Sequence, residues 1–298
     1  MIKTKARLGH LLGLFTGIVW GVTFTSSKIL LQSFSSIELL FYRFLIAFFA
    51  LCILYPKPFK WQGWDKELRF IIAGATGVTF YQYMENAALN NTYASNVSVI
   101  VAIAPLLTAL FVWIATKGKE KLKSNFVLGF LVAIAGIAFI AFNGSRLQLS
   151  PLGDFFAVCC AIIWGLYSVN GNMVASYKFN VLATTRRAFL YGILFLIPLM
   201  IKDGFTFGVE RFANPVNLLN MLFLGVVASG LCFVTWNYAI SVLGSVKTTV
   251  YIYVSPVVTV VVSALVLHEK VTPLLITGTV LTLAGLVISN MNKKKMSD

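Results

Sequence analysis

The stretch YQYMENAALN, residues 81–90, sets an acid inside an apolar run. Glu85 follows Tyr81 by four residues, so on a helix the carboxylate and the phenol share a face, with Gln82 and Asn86 on the neighbouring stripe. A carboxylate surrounded by apolar residues is costly and asks for a partner or a task. It could exchange protons and so couple movement of a substrate to a proton gradient, or it could hold a substrate ammonium. The bland alternative is a structural pair with Arg43. Four other stretches carry comparable groups. Trp20, Thr23 and Ser27 recur at i, i+3 and i+7, and so do Trp164, Tyr167 and Gly171. Asn96 opens a further apolar run, and Thr248, Tyr251 and Ser255 fall on one side of another.

A mostly aromatic surface with a few polar groups is the composition of a small-molecule pocket. The candidate substrate-binding set is therefore Trp20, Thr23, Tyr81, Glu85, Asn96, Trp164, Tyr167 and Tyr251. Taken singly, a Ser, Thr or Asn in such a place reads more simply as a hydrogen bond between packed helices, worth about 0.6 kcal/mol. Arg43 and Arg187 lie six to seven residues inside their apolar runs. Such an arginine can snorkel, cap a neighbouring helix or bind an anion, and the matching positions of the two favour a structural role.

No catalytic chemistry is expected. The chain has two histidines and ten acids, mostly between apolar runs, so no cluster of nucleophile, base and metal ligands forms. Cys52, Cys159, Cys160 and Cys232 all lie in apolar runs and read as small buried hydrophobes. No metal, cofactor or nucleotide motif is visible, nor a filter-like loop of the kind a channel would need.

The elements that must hold these residues are membrane spans. Hydrophobic residues make up 58% of the 298, charged residues 11%, and the mean hydropathy is +0.85. Soluble domains average about 45–50% apolar and about 25% charged. Apolar stretches of roughly twenty residues fall at roughly 8–31, 36–55, 70–89, 95–116, 125–143, 152–174, 181–201, 216–240, 247–267 and 272–290. This predicts an all-α integral membrane protein of ten transmembrane helices. The first is read as a retained helix rather than a signal peptide. The formal charge of +14 sits in clusters such as KTKAR and KGKEKLK between spans, as topology signals rather than a nucleic-acid surface.

If the N-terminus is cytoplasmic, the outer segments carry only Lys28, Arg146, Lys202, Arg211 and Lys270. Sixteen basic residues lie on the inner side. Both termini are thus expected in the cytoplasm, with the protein multi-pass in the cell membrane and its immediate partners lipid and a small-molecule substrate.

The spans repeat. Trp20-Gly21 and Trp164-Gly165 are 144 residues apart, as are Arg43 and Arg187. Pro105 and Pro256 are 151 apart, as are Asn86 and Asn237. Gly129 and Gly136 match Gly278 and Gly285 at 149 and suit close helix packing. Two five-helix units follow, residues 1–146 and 147–298, and an odd number of spans inverts the second unit relative to the first. In such inverted repeats the substrate site lies near the midplane between the halves.

GIVWGVTF, YRFLIA, ALNNTYASNVSVIVAIAPLLTALFVW and LGSVKTTVYIYVSPVVTVVVSALVLHEKVT carry a further resemblance. Over nearly its whole length the chain resembles the EamA-type, ten-helix group of the drug/metabolite transporter superfamily. It departs in the first half, where ATKGKEKLK keeps Glu120-Lys121-Leu122 in a more basic loop than the later His268-Glu269-Lys270 turn. The resemblance implies alternating-access transport of small metabolites, often outward, around a cavity lined by spans one, three, four, six, eight and nine. Export of amino acids or related zwitterions by a functional monomer is the leading expectation. The aromatic wall suits an apolar side chain and the scattered amides and hydroxyls suit the charged ends. The alternative is transport of organic cations or drugs, held by Glu85 in a Trp/Tyr cage. A sugar-type substrate, a channel and a membrane enzyme follow behind.

Overall fold

The computed structural model describes residues 2–119, 124–141, 150–202, 204–268 and 272–290. Among these residues the secondary structure is helical and no strand occurs. The helices are α1 (Ile2–Leu30), α2 (Ser36–Leu54), α3 (64–91), α4 (Ala94–Ala115), α5 (Ser124–Ala141), α6 (Pro151–Ser176), α7 (Val181–Lys202), α8 (Pro215–Leu243), α9 (Ser245–Val266) and α10 (Pro273–Asn290). Seven of them, α1, α2, α4 and α6 to α9, are long and apolar enough to cross a membrane. With the short connections between them this makes a multi-pass membrane protein.

Local sequence explains the ends. Ser35 and Glu38 form a capping box that starts α2, each side chain taking the other's backbone N–H at 3.2 and 2.8 Å. Pro151 and Pro215 occupy the first helical positions of α6 and α8, where a missing N–H is harmless, behind Ser150 and Asn214 caps. α3 begins at Trp64, earlier than hydropathy predicts. Its first turns carry Asp65 and Glu67, which a search for apolar residues does not see.

Helix ends gather on two sides. On one side Leu243 packs near Gly9, Asn170 bonds the Arg69 carbonyl at 2.8 Å, and Arg186 bonds the Tyr55 and Lys57 carbonyls. On the other, Lys28 reaches the Thr92 carbonyl at 2.7 Å and Arg211 the Ser33 carbonyl at 2.9 Å. Among the helices whose ends meet in these contacts, α1 to α3 and α6 to α8, successive helices therefore run in opposite directions.

Packing follows the internal repeat. α1 lies against α8 and α9, and its counterpart α6 lies against α3 and α4. α2 packs on α8 while α7 packs on α3. α5 and α10 pair with each other, and a Cβ on Gly129 or Gly285 would stand 2.6 or 2.5 Å from the other's carbonyl oxygen. The close-packing role expected of these glycines is thus met. The Trp-Gly pairs divide their work. A Cβ on Gly21 would sit 2.5 Å from the Val258 Cβ, so α1 can approach α9, and a Cβ on Gly165 would sit 2.9 Å from the Phe111 ring of α4. The tryptophans beside them turn inward.

Four helices are interrupted in matching pairs. α3 contains a π-helical stretch at Gly74–Phe80 and α8 one at Phe223–Leu231. α4 breaks at residues 102–103, just before Pro105. α9 tightens to a 3-10 turn at Val250–Tyr253, just before Pro256. Each proline lacks the N–H that would bond the preceding turn, which accounts for the change of helix type there.

Candidate functional site

The interruptions surround a central cavity. Trp20, Thr23 and Phe24 of α1 line it with Arg43 of α2 and Tyr81, Gln82 and Glu85 of α3. Ser98 and Val101 of α4, Trp164 of α6, Phe233 of α8, and Ile252 and Ser255 of α9 complete the wall. Its volume is about 20 Å³, room for about one water molecule, so the cavity is nearly closed in this conformation. Corresponding positions of the two halves both line it: Trp20 and Trp164, 144 residues apart, and Val101 and Ile252, 151 apart.

The aromatic rings form one connected group. The Trp164 ring is 5.0 Å from Trp20, 4.9 Å from Tyr81, 4.9 Å from Tyr167, 6.1 Å from Phe233 and 5.9 Å from Trp236, centroid to centroid. These are the separations at which ring edges meet ring faces favourably. The two tryptophans differ in their polar ends. Trp20 Nε1 donates to the Ala228 carbonyl at 3.0 Å, whereas Trp164 Nε1 is buried without a partner.

The charged groups are deeply buried. Arg43, 1% exposed, donates from Nε to Ser229 Oγ at 2.6 Å and from Nη1 to Gln82 Oε1 at 2.7 Å. Glu85, 2% exposed, has an Oε1 with no hydrogen-bond partner. Arg43 and Glu85 line the same cavity but form no ion pair. A buried carboxylate oxygen left unsatisfied is expensive, so a hydrogen-bond donor placed beside it would be stabilised.

The expected equivalence of Arg43 and Arg187 does not extend to their surroundings. Arg187 grips Glu67 with Nε at 3.0 Å and Nη2 at 2.7 Å, and Tyr191 also donates to Glu67 at 2.6 Å. Arg187 is therefore a structural ion pair near the first side of the bundle, and Arg43 is a wall of the cavity. The matching ion pair on the other side is made by Arg211, which holds Glu38 at 2.8 and 3.0 Å.

Of the candidate residues, Trp20, Thr23, Tyr81, Glu85 and Trp164 come together in this cavity. Tyr167 touches Trp164 but lines a second cavity. Asn96 and Tyr251 lie off both. Asn96 donates to Thr92 Oγ1 at 3.2 Å in the first turn of α4. It precedes Ser98 by two residues, about 200° around the helix from the cavity face. Tyr251 pairs through its hydroxyl with His10 Nδ1 at 2.6 Å, its ring seated against Gly13. The α-helical spacing that aligned Tyr251 with Ser255 fails because Val250–Tyr253 is a 3-10 turn, and Ile252 takes the inward place.

Arg43, Gln82 and Ser255 were visible in the sequence as polar residues within spans. Phe24, Ser98, Val101, Phe233 and Ile252 gave no sequence signal beyond hydropathy or the repeat.

The second cavity is wider, with a volume of about 420 Å³. It lies on the side where α1 begins. The ends of α6 and α8, the starts of α3 and α7, and Lys5 enclose it.

The EamA-like transporter family matches residues 7–142 and again 151–291. An uncharacterized transporter of Archaeoglobus fulgidus is 28% identical over 94% of this chain and 96% of its own length. A protein of Streptantibioticus cattleyicolor described as a "probable terminal-alkyne amino-acid exporter" is 26% identical over 92% of this chain and 91% of its own. A solved crystal structure shares the fold with a TM-score of 0.72 at 20% identity, over 95% of this chain and 97% of that one.

Proposed function

The chain belongs to the EamA-like transporter family, and from that membership we propose that it exports amino acids or related zwitterions by alternating access. It is a transporter and not an enzyme. The proposed architecture is ten transmembrane helices in two inverted five-helix units, 1–146 and 147–298. The paired helix interruptions and the crossed packing of α1 and α6 support it. Both termini face the cytoplasm in this reading, on the basic side, and the monomer is the working unit.

One observation carries the substrate class: a carboxylate with an unpartnered oxygen and a guanidinium line one cavity without pairing, between aromatic rings. Glu85 takes the ammonium of a zwitterion and Arg43 its carboxylate. Trp164 Nε1 offers a further donor, and Trp20, Phe24, Phe233 and Ile252 surround the side chain. The name of the Streptantibioticus relative agrees with this class. In the empty cavity a proton on Glu85 meets the same need as the ammonium, so substrate and proton compete for one oxygen. That competition couples export to an inward proton gradient.

The cage of Trp20, Tyr81 and Trp164 beside Glu85 also favours a second reading, an organic cation without a carboxylate. A thermal-stabilisation series on purified protein separates the two, because a ligand of the folded state raises apparent stability. The series contains apolar amino acids, their methyl esters and their deaminated acids. The zwitterions are expected to stabilise and the two half-ligands to fail. Stabilisation by the esters alone would replace the first reading by the second, and no stabilisation by any amine would end both.

A further inference from the structure

We propose that Tyr167 is the gate between the central cavity and the wide vestibule on the side where α1 begins. Its ring stands between the two spaces. One neighbour is the Trp164 ring, 4.9 Å away and inclined by 34°, and another is Phe233 at 6.0 Å, both of which line the central cavity. Tyr167 itself lines the vestibule, with Ala73, Thr184 and Asn237. No other side chain of the vestibule wall is in ring contact with the central aromatic group among the described residues.

The ring has a seat and a tether. The seat is Gly77, in the π-helical stretch of α3, where a Cβ would lie 2.5 Å from Tyr167 Cε2. A side chain there would push the ring away, so the close approach requires glycine. The tether is the hydroxyl, which donates to Asn237 Oδ1 at 2.9 Å, and Asn237 Nδ2 in turn donates to Thr185 Oγ1 at 3.0 Å. The chain of bonds joins α6, α8 and α7. Releasing one neutral hydrogen bond frees a ring whose χ1 rotation joins the two cavities.

The tyrosine has no counterpart at the equivalent position of the first half. Thr23 stands 144 residues before Tyr167, in the corresponding place of the first half, and bonds its own helix at the Trp20 carbonyl. Asn86, the counterpart of Asn237, has an Oδ1 with no partner. The gate thus breaks the symmetry of the repeat, with an aromatic ring at Tyr167 where the first half has Thr23. It rests on the presence of a passage in a transporter and not on which molecule passes.

Access of a thiol reagent tests this independently of any substrate. In a chain with all four native cysteines replaced, Ser98→Cys marks the central cavity and Ser241→Cys marks the vestibule. A charged methanethiosulfonate is applied to the purified protein in detergent. Ser241→Cys is expected to react quickly in every background. Ser98→Cys is expected to react slowly with Tyr167 intact. Tyr167→Phe or Asn237→Ala should speed it about two- to tenfold, the shift that one lost hydrogen bond corresponds to. Tyr167→Ala should speed it further. Ser98→Cys reacting as fast as Ser241→Cys behind an intact Tyr167 would overturn the gate, as would an unchanged rate in a folded Tyr167→Ala chain. If the cysteine-free chain does not fold, acrylamide quenching of tryptophan fluorescence in the native-cysteine chain replaces it. Quenching should rise in Tyr167→Phe, and equal quenching would overturn the proposal.

Discussion

Glu85→Gln separates a binding carboxylate from a structural one by the sign of two changes. The substitution preserves shape and removes the charge. In the structure Glu85 Oε1 is buried with no partner, and no arginine pairs with it. Breaking a buried ion pair would cost about 3–5 kcal/mol, but no such pair exists here to break. Glutamine keeps two polar atoms there but brings no charge to bury, so the ligand-free variant should be at least as stable as the parent.

Binding should move the other way. A hydrogen bond to a charged group is worth about 1.5–3 kcal/mol, which corresponds to a rise in Kd of roughly 10- to 150-fold. At a ligand concentration 100 times the parental Kd, the parent is stabilised by about 2.7 kcal/mol, and the variant by only about 0.3–1.3 kcal/mol. Unfolding of both proteins with and without the stabilising zwitterion, across a range of pH, reads both quantities. A variant that is less stable when empty yet equally stabilised by ligand would refute the reasoning and make Glu85 structural.

Gly21→Ala should destabilise by about 1–3 kcal/mol, because its Cβ must displace Val258 and the Ser255 carbonyl where α1 meets α9. Gly171→Ala, which meets only the flexible end of Ile240 at 3.1 Å, should cost much less, and thermal unfolding of the two compares them. Trp20→Phe removes the indole bond to the Ala228 carbonyl and should lose about 0.5–1.5 kcal/mol of stability. Trp164→Phe gives up no hydrogen bond and should weaken zwitterion binding instead, as ligand-induced stabilisation will show. Introduced cysteines at Ser124 and Ser150 should label from opposite sides of intact cells, Ser150→Cys from outside, and labelling of both from outside would overturn the proposed orientation.

The membrane environment, the helical class, the order of the spans and the doubling of the unit were legible in the sequence, because hydropathy and repeat spacing are local properties that survive without knowledge of neighbours. The inward faces of α1, α3 and α6 were legible for the same reason. Around Trp20, Glu85 and Trp164 the spacing of an α-helix predicts the face that the structure shows. Only the tertiary structure could decide what lies across the cavity. Arg43 and Arg187 occupy equivalent places in the repeat. One meets an acid 120 residues away in Glu67, and the other meets Gln82 and Ser229. Tyr251 and Asn96 missed the cavity because a helix face is a matter of phase. A 3-10 turn before Pro256 and the start of α4 at Ala94 set that phase, and hydropathy does not record it. Tyr167 could be read as a pocket residue from its neighbours in sequence. Its place between two cavities depends on Gly77 and Asn237, which the fold brings to it from two other helices.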